Sequence, residues 1–329
     1  MTDQITIFGY GPTGQAIADR LRARGTKIIV AQRRGPATLP ADVAFVPCDV
    51  LNADDVMNAM RGATQAVITT GFDYSGKVWR KAWPVAMANF IAAAETTGAR
   101  IIQIDNLYMY GPQKGAIRED MALTKYGVKP AVRAQVTRLW QKASAEGRIR
   151  WAALRAPDFY GPGVDRSHLG DVGFGAIAKN QLATQIMPLD VPHAFAYVPD
   201  IGRAALSLLD AGDDVFGQAW HVPCAPTKTP REILEIGAQA LGRKPRLMHV
   251  PGPLLAFLGL FVSFFREVHE IRFTWNGPYH VDSSKFEARF WNDPTPFEIG
   301  ARATALSFAA ATETPARNAR QIGAPAAAR

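Results

Sequence analysis

Cysteine is scarce in this 329-residue chain, which contains only Cys48 and Cys224. The two lie far apart in sequence and each stands in an apolar, strand-like segment, where a buried thiol is the expected state. This number and spacing exclude a disulfide framework and a cysteine metal site. A reducing, cytoplasmic location is therefore expected. The start of the chain supports it, because no basic leader followed by an apolar stretch precedes the first predicted strand.

Long apolar runs and paired histidines are also missing. The most apolar segment, residues 254–265, has about a dozen residues, short of the ~20 that a membrane-spanning helix needs. We predict a core or interface helix there, with a membrane-surface helix as the alternative, and no membrane span. The six histidines never stand at i, i+4 around a carboxylate, so no metal site is predicted. A G-x-S-x-G nucleophile turn is absent too.

Acidic residues are outnumbered, 29 Asp and Glu against 37 Lys and Arg, which gives a net charge of +8. Such a balance suits nucleic acid or a pocket for a polyanionic small molecule. No basic cluster alternates with exposed-type aromatic residues, so nucleic acid is not an expected partner. A small-molecule partner is expected instead.

The first half of the chain alternates short β-branched runs with segments of helical period. Strands are predicted at residues 5–8, 27–31, 44–47, 66–69, 101–104 and 151–154. Helices are predicted at residues 15–24, 54–60, 78–97 and 131–146. Because each interval holds one helix and crossovers are right-handed, the pattern predicts an α/β fold with a doubly wound parallel sheet of Rossmann type.

The rhythm changes in the second half, where loops lengthen and proline becomes frequent. We predict a Rossmann domain over 1–165 and a smaller substrate-binding region over 166–311. The smaller region contains a strand at 217–222 and a helix at 231–241. Residues 312–329 are rich in Ala, Pro and Arg without apolar period, so a disordered tail is predicted.

A glycine-rich loop follows the first predicted strand and opens the first predicted helix. It reads Gly9-Tyr10-Gly11-Pro12-Thr13-Gly14. Gly9 permits the tight turn, Gly11 lets a pyrophosphate approach the backbone, and Gly14 lets helix and strand pack closely. Pro12 and Thr13 begin the helix, whose free N–H groups face an anion. The motif in this context predicts a dinucleotide site.

The end of the second predicted strand reads Gln32-Arg33-Arg34, where an NAD-binding loop would carry an acidic residue. Two guanidinium groups would pair with the 2′-phosphate of NADP, whereas a carboxylate would repel it. NADP(H) is therefore the predicted cofactor, and NAD(H) is the less favoured alternative. Asp49 and Val50, after the third predicted strand, are predicted to contact the adenine.

A second glycine-rich motif, residues 71–77, matches G-x-x-x-x-G-K after the fourth predicted strand. The residue that follows is Val78 instead of the Ser or Thr that would bind Mg²⁺, so ATP or GTP binding is not favoured. Thr70 and Gly71 are interpreted as lining the nicotinamide side of the dinucleotide site.

Three further motifs add to the glycine loop: Tyr110-Gly111 after the fifth predicted strand, Tyr160-Gly-Pro-Gly163, and Tyr197-Val-Pro-Asp200 before a helix. With them the chain resembles the extended short-chain dehydrogenase/reductase superfamily, in the NAD-dependent epimerase/dehydratase group, over roughly residues 4 to 310. The resemblance implies a Rossmann sheet with a C-terminal substrate region. It also implies oxidation, reduction, epimerisation or dehydration of sugars and small carbonyl compounds, and a possible homodimer.

The resemblance also shows where this sequence departs from the superfamily. Its members use a Ser or Thr, a Tyr, and a Lys four residues after that Tyr. Here the Ser/Thr position is Asn106, the Tyr position is Lys129, and the Lys position is Arg133. Asn106 is predicted to steady the substrate oxygen and Arg133 to bind a ribose hydroxyl. Either Tyr126 or a desolvated Lys129 is predicted to move the proton.

The substrate side of the predicted cleft is assigned on the same resemblance. Tyr108, Asp158 and Tyr160 follow strands at the carboxyl edge of the sheet and are predicted to bind substrate, and Pro157 is assigned to the cofactor. His193 stands where sugar-nucleotide enzymes of the superfamily usually carry an Arg for the diphosphate.

The sequence therefore predicts an NADP-dependent oxidoreductase or epimerase for a small carbonyl or hydroxyl substrate without a diphosphate. The alternative is an NADP(H)-binding regulatory or sensor protein that has lost turnover, which the missing Tyr-x-x-x-Lys suggests.

Overall fold

A computed structural model describes residues 4–313. Within them the strands are β1 (Gln4–Phe8), β2 (Lys27–Gln32), β3 (Ala44–Pro47), β4 (Gln65–Ile68), β5 (Arg100–Asp105), β6 (Arg150–Arg155), β7 (Asp158–Tyr160), β8 (Leu182–Gln185), β9 (Phe195–Tyr197), β10 (Ala219–His221) and β11 (Arg246–His249). The helices are α1 (Pro12–Arg22), α2 (Ala53–Met60), α3 (Gly76–Thr97), α4 (Lys129–Ala145), α5 (Ala176–Ala178), α6 (Val198–Leu209), α7 (Pro230–Ala240), α8 (Gly252–Leu258), α9 (Ser263–Glu270), α10 (Ser284–Arg289) and α11 (Phe297–Glu313).

The central sheet has seven parallel strands in the order β3-β2-β1-β4-β5-β6-β10. The chain winds outward from β1 in one direction through β2 and β3, then in the other from β4 onward. This order confirms the predicted doubly wound Rossmann sheet. Its switch point lies between β1 and β4, where ligands bind in open α/β sheets.

Helices cover both faces of the sheet. On one face, apolar side chains of α1 and α6 share a buried cluster with β1, β2 and β6. On the other face, α2, α3 and α4 form a second buried cluster with the sheet. Gly202 of α6 allows a close approach to α1, because a Cβ at that position would lie 3.0 Å from the carbonyl oxygen of Ala16.

A smaller layer stands above the carboxyl edge of the sheet. It contains the pairs β7–β9 and β8–β11 with α7 and α11, around a third apolar cluster that includes Phe174 and Phe297. The two layers interleave in sequence. The α6 helix and β10, both beyond residue 165, belong to the Rossmann layer, and the predicted strand at 217–222 is its seventh strand.

Residues 254–265 form a helical hairpin of α8 and α9 in place of one continuous helix. Its turn, at residues 259–262, exposes Leu260 and Phe261. None of the helices described between residues 4 and 313 combines the length and apolar character needed to cross a bilayer. Of the predicted tail, residues 312 and 313 end α11, and residues 314–329 lie outside the described residues.

Candidate functional site

The glycine loop has the backbone geometry that its sequence predicts. Gly9 has φ +100°, a conformation that favours glycine, and a Cβ on Gly14 would lie 2.2 Å from the carbonyl oxygen of Gly9. Gly11 is exposed, and a Cβ there would meet no atom within 4 Å. No side chain caps α1 at Gly11. The loop therefore presents the free N–H groups of α1, with Pro12 and Thr13 in its first turn, to the space above the switch point.

Two threonines after β4 hold this loop against the sheet. Thr69 Oγ1 donates to the carbonyl of Gly9 at 2.9 Å, and Thr70 Oγ1 donates to that of Phe8 at 3.1 Å. Gly71, which follows, is exposed. Thr69 was not among the site residues predicted from sequence, although its place at a strand end beside the loop was a usable signal.

The basic turn after β2 is tied to the glycine loop by Gln32. Its Oε1 accepts from the backbone N–H of Tyr10 at 2.9 Å, and its Nε2 donates to the carbonyl of Arg34 at 2.7 Å. Arg33 and Arg34 are exposed, and neither side chain has an ion pair within residues 4–313. Two unpaired guanidinium groups therefore lie next to the start of α1.

The residues after β3 border the same edge. Asp49 Oδ1 accepts from the backbone N–H of Leu51 at 3.0 Å, and the buried Val50 accepts from Asn89 at its carbonyl. The Asp49 side chain therefore caps its own turn beside the predicted adenine position.

The second glycine motif leads into α3, whose first backbone N–H already has an acceptor in the protein. The backbone N–H of Gly76, first residue of α3, donates to Glu267 Oε2 of α9 at 2.9 Å. A carboxylate of the protein thus lies where a nucleotide phosphate would have to bind.

A buried ion pair joins β5 to α4. Arg133 donates to Asp105 Oδ1, and its guanidinium lies 4.0 Å from the centre of the Trp83 ring. Arg133 Nε and Nη1 and Asp105 Oδ2 are buried and have no hydrogen-bond partner within the described chain. Because buried polar atoms are rarely left unpaired, these three atoms indicate a polar ligand at this point of the cleft.

Asn106 follows Asp105 at the carboxyl end of β5. Its backbone N–H donates to Asp105 Oδ1, and its side-chain oxygen accepts from the N–H of Tyr108 at 3.0 Å. The side chain is half-buried, and these contacts leave its amide N–H groups available to a ligand.

Lys129 is fully buried and lies between two carboxylates of α9. Its Nζ is 2.5 Å from Glu267 Oε2 and 2.6 Å from Glu270 Oε2. Glu270 also accepts from the backbone N–H of Val128. The ammonium group is therefore shared between these two carboxylates and is not an unpaired group.

Tyr126 lies further from the cleft. Its side chain is 44% exposed and its ring contacts Phe273 at 5.5 Å between centroids. Its backbone N–H donates to Thr124 Oγ1.

Two other phenols lie at the boundary between the layers. Tyr74 and Tyr108 each pack against both the Rossmann cluster and the cluster of the smaller layer, and their hydroxyl oxygens are 3.5 Å apart. Lys129 Nζ lies 4.9 Å from the centre of the Tyr74 ring. Burial is the main cause that raises the pKa of both phenols well above the usual value, and the negative charge of Asp158 acts in the same direction. Both are therefore protonated at neutral pH.

Asp158 and His193 form the polar wall opposite these phenols. Asp158 Oδ2 and His193 Nε2 are 2.8 Å apart, and the buried His193 ring stacks on Tyr279. Burial acts to raise the pKa of Asp158, but the hydrogen bond to His193 and the charges of His168 and His193 outweigh it and lower that pKa. His193 Nδ1 has no partner in the described structure.

The two remaining predicted residues lie deeper. Tyr160 is buried among Tyr197, Phe195 and Phe297, and its hydroxyl has no partner within residues 4–313. Pro157 is buried before β7.

Several residues that line this cleft were not predicted from sequence. Asp105 could have been found as an acidic residue at a strand end, and Tyr74 lies inside the second glycine motif. Glu267, Glu270 and Tyr279 gave no signal, because the fold alone brings residues so late in the chain to α4 and Asp158. Among the described residues no group of three His, Cys, Asp or Glu is placed to bind a metal ion.

A doubly wound sheet, a glycine loop at its switch point and a cleft beneath a smaller layer define a Rossmann-fold protein. The family model described as NAD dependent epimerase/dehydratase family matches residues 5–222, and the chain belongs to that family. Membership supports a nicotinamide dinucleotide as cofactor. No curated protein sequence matches the chain significantly.

Solved structures of epimerases and dehydratases share the fold over nearly the whole chain. UDP-glucuronic acid 4-epimerase from Bacillus cereus in complex with NAD is 14% identical, with 93% of this chain and 98% of that chain covered at a TM-score of 0.74. The dTDP-glucose 4,6-dehydratase from Bacillus anthracis in complex with NAD is also 14% identical, with coverages of 94% and 98% and a TM-score of 0.77. UDP-glucose 4-epimerase from Thermus thermophilus, also with NAD, is 19% identical, with coverages of 93% and 98% and a TM-score of 0.70.

Proposed function

We propose that the protein is an NADP(H)-dependent oxidoreductase or epimerase that acts on a small carbonyl or hydroxyl compound. The observation that carries this proposal is the uncapped start of α1 at Gly11, with the unpaired Arg33 and Arg34 beside it. An open helix N-terminus binds a pyrophosphate, and two adjacent guanidinium groups bind a further phosphate.

The residues present suit a dinucleotide along the whole edge of the sheet. The loop from Gly9 to Gly14 would hold the pyrophosphate, and the turn after β3, with Asp49 and Val50, would border the adenine. Thr70, Gly71 and Pro157 would border the nicotinamide. The unpaired Arg133 Nε and Nη1 would donate to ribose hydroxyls, which would satisfy these buried atoms.

NADP(H) is preferred over NAD(H) in this proposal, although the solved epimerase and dehydratase structures described above contain NAD. The reason is local. The end of β2 offers Gln32, Arg33 and Arg34 and no carboxylate to a ribose 2′-hydroxyl, and Gln32 is already bound to Tyr10 and Arg34.

The cofactor preference is tested by comparing the Kd of NADPH with that of NADH for the wild type and for Arg33→Ala/Arg34→Ala. We expect the variant to lose at least about tenfold of its affinity for NADPH and little for NADH, because a lost charge-assisted contact costs about 1.5–3 kcal/mol. The matched control is Arg61→Ala/Arg302→Ala, which removes two exposed arginines elsewhere. An unchanged ratio of the two Kd values would contradict the preference.

For the chemistry, we infer that the cleft reduces a carbonyl group. The bound reduced nicotinamide would supply a hydride to the carbonyl carbon. Asn106 would donate a hydrogen bond to the carbonyl oxygen, and Tyr108 would transfer its proton to that oxygen. Burial raises the pKa of both phenols, so each would give up its proton only to a stronger base such as a developing alkoxide. Tyr74, 3.5 Å from Tyr108, would donate a hydrogen bond to the Tyr108 phenolate until that oxygen regains a proton from water.

Asp158 and His193 would bind the polar part of the substrate across the cleft. Because these groups form a carboxylate–imidazole pair, they suit hydroxyl groups better than a diphosphate, which the nearby carboxylate would repel. A small polyhydroxylated or oxygenated carbonyl compound is the substrate class proposed.

Single-turnover oxidation of bound NADPH with a panel of aldehydes, ketones and keto-sugars tests this assignment. We expect Tyr108→Phe to lower the rate by about 10²–10⁴-fold, as for loss of a general acid. Tyr126, one of the two groups predicted from sequence to move the proton, is tested in the same assay. Tyr126→Phe should leave the rate near that of the wild type, and a large loss there would move the acid to Tyr126.

A second candidate function is an NADP(H)-binding regulatory or sensor protein without turnover. The observation that favours it is Lys129, which stands at the family's tyrosine position and is held in two ion pairs. If NADPH binds tightly and no member of the substrate panel oxidises it, this second function replaces the first.

A further inference from the structure

The hairpin of α8 and α9 carries an exposed apolar tip. Between residues 252 and 265 there is no charged residue, and the side chains of Leu260 and Phe261 at the turn are 71% and 76% exposed. Flanking apolar side chains are exposed as well, namely Leu254, Phe257, Val262 and Phe264. Isolated exposed apolar residues are ordinary, but a contiguous cluster that includes three phenylalanines marks an interaction surface.

Four cations lie beside this tip. Lys77, Arg80 and Lys81 on the first turns of α3 face Arg266 of α9 across one surface cavity. All four are exposed, and none of their side chains has a hydrogen bond or ion pair within residues 4–313. The two carboxylates that also border this cavity, Glu267 and Glu270, are bound to Lys129.

We propose that the tip at residues 257–264 and the four cations form a docking surface for an anionic lipid membrane. The apolar side chains would enter the boundary between headgroups and acyl chains, and the cations would contact lipid phosphates. Apolar insertion and electrostatic attraction together give stable but reversible membrane binding.

Charge decides between a lipid surface and a second copy of the chain. In a twofold dimer built on this patch, the four cations of each copy would lie within one interface, where like charges repel. An anionic membrane offers the opposite charge to the same groups. The tip also projects at a turn, a shape that suits insertion into a soft surface.

The surface adjoins the cleft but does not depend on the proposed reaction. The same α9 helix that exposes Phe264 also binds Lys129 through Glu267 and Glu270. Docking there would hold one wall of the cleft at the membrane.

Flotation of the full chain with vesicles tests the proposal. The probes are vesicles of phosphatidylcholine alone and of phosphatidylcholine with about one third phosphatidylglycerol, each at low and high ionic strength. We expect binding to the anionic vesicles only, weakened by salt. Leu260→Ser/Phe261→Ser should lower the partition coefficient at least about tenfold, since burial of each side chain contributes about 1.5–3 kcal/mol when complete.

The charge variant Lys77→Gln/Arg80→Gln/Lys81→Gln/Arg266→Gln should also lower binding at least about tenfold, since each cation contributes about fivefold at an anionic surface. Matched controls replace exposed residues elsewhere: Val172→Ser/Ile299→Ser for the apolar pair, and Lys27→Gln/Lys114→Gln/Lys179→Gln/Lys244→Gln for the cations. Both should bind as the wild type does.

Three results would overturn the proposal. They are absence of wild-type binding, equal binding to neutral and anionic vesicles, and a tip variant that binds unchanged. Sedimentation of the same variants tests whether a second copy of the chain occupies this surface instead. A shift from dimer to monomer in Leu260→Ser/Phe261→Ser, without vesicle binding by the wild type, would assign the surface to a second copy.

Discussion

Two helices of the Rossmann layer begin after a strand and a glycine-rich loop, α1 after Gly9–Gly14 and α3 after residues 71–75. At α1 no side chain caps the helix, and the space before it is open. At α3 the first N–H is bound by Glu267, a residue nearly 200 positions later in the chain. Two similar local motifs therefore have opposite capacities for an external anion.

The N-termini of α1 and α3 show that a helix start can bind a ligand only when the fold leaves it free. The glycines of the first loop act through their own backbone, so their role is local. The second loop is closed by α9, which also pairs with Lys129. The same helix thus covers the start of α3 and binds Lys129, which the resemblance places at the family's tyrosine position.

The largest effect is expected from substitutions on α9, which closes the start of α3. Glu267→Ala/Glu270→Ala removes both partners of the fully buried Lys129 ammonium. A buried charge left without its partner costs about 3–5 kcal/mol, so we expect a loss of that size in the free energy of unfolding. Urea denaturation measures it.

The control for that variant adds Lys129→Met, which removes the unpaired charge and keeps an apolar side chain of similar length. Part of the lost stability should return in the triple variant, because the unpaired charge is gone while the N–H groups of Gly76 and Val128 still lack their acceptors. If the triple variant is no more stable than the double variant, the ion pairs are not what holds α9 in place.

At the α1 loop, Gly14→Ala and Gly11→Ala separate packing from ligand binding. A Cβ on Gly14 would lie 2.2 Å from the carbonyl oxygen of Gly9, so Gly14→Ala should cost about 1–3 kcal/mol of stability and abolish saturable NADPH binding. A Cβ on Gly11 meets nothing, so Gly11→Ala should keep the stability and still weaken NADPH at least about tenfold. Fluorescence titration and urea denaturation measure the two effects, and equal losses in both variants would argue against separate roles.

Acid should affect the interior of the carboxyl edge before it affects the α1 loop, which contains no histidine or carboxylate. Burial lowers the pKa of His221 to about 3, while its Nδ1 donates to the carbonyl of Asp282 and its Nε2 accepts from Tyr110. The unfolded chain binds a proton near pH 6.5, so the unfolded state gains protons first as the pH falls from 6.5 toward 3. Stability is therefore lost in that window.

Between pH 7 and pH 5 this single group should lower the free energy of unfolding by about 2 kcal/mol. His221→Gln removes that part of the decrease, and urea denaturation of both proteins at the two pH values measures it. Other titrating groups, including His168, remain in both proteins and cancel in the difference. A decrease of equal size in both would show that His221 does not carry it.

Much of the fold and half of the cleft could be predicted from sequence. The parallel strands and the α1 loop follow from local apolar period and from Gly9, Gly11 and Gly14, whose constraints involve close neighbours. The assignments of Asn106 and Arg133 came from the resemblance to the family, and the structure places these residues after β5 and on α4. The surroundings of Lys129 could not be predicted, because Glu267 and Glu270 come from a hairpin more than 130 residues later. The break of residues 254–265 into two helices was equally hidden, since an apolar run fixes neither its turn nor its exposure.

The N-terminus of α7 can be compared with those of α1 and α3. The α7 helix closes its own N-terminus with a capping box, in which Thr229 Oγ1 accepts from the backbone N–H of Glu232 and the Glu232 carboxylate accepts from that of Thr229. Thr229→Ala removes one partner of this box and should lower the free energy of unfolding by about 1 kcal/mol, without effect on NADPH affinity. Thr26→Ala, outside the box and without a side-chain hydrogen bond within residues 4–313, is the matched control. Because α1 lacks such a cap, bound NADPH should stabilise the protein at the start of α1. Thr229→Ala, in contrast, destabilises the protein at the start of α7. We expect NADPH to raise the melting temperature of the wild type and of Thr229→Ala by the same amount. A shift that differs between them would mean that the two helix starts are not independent.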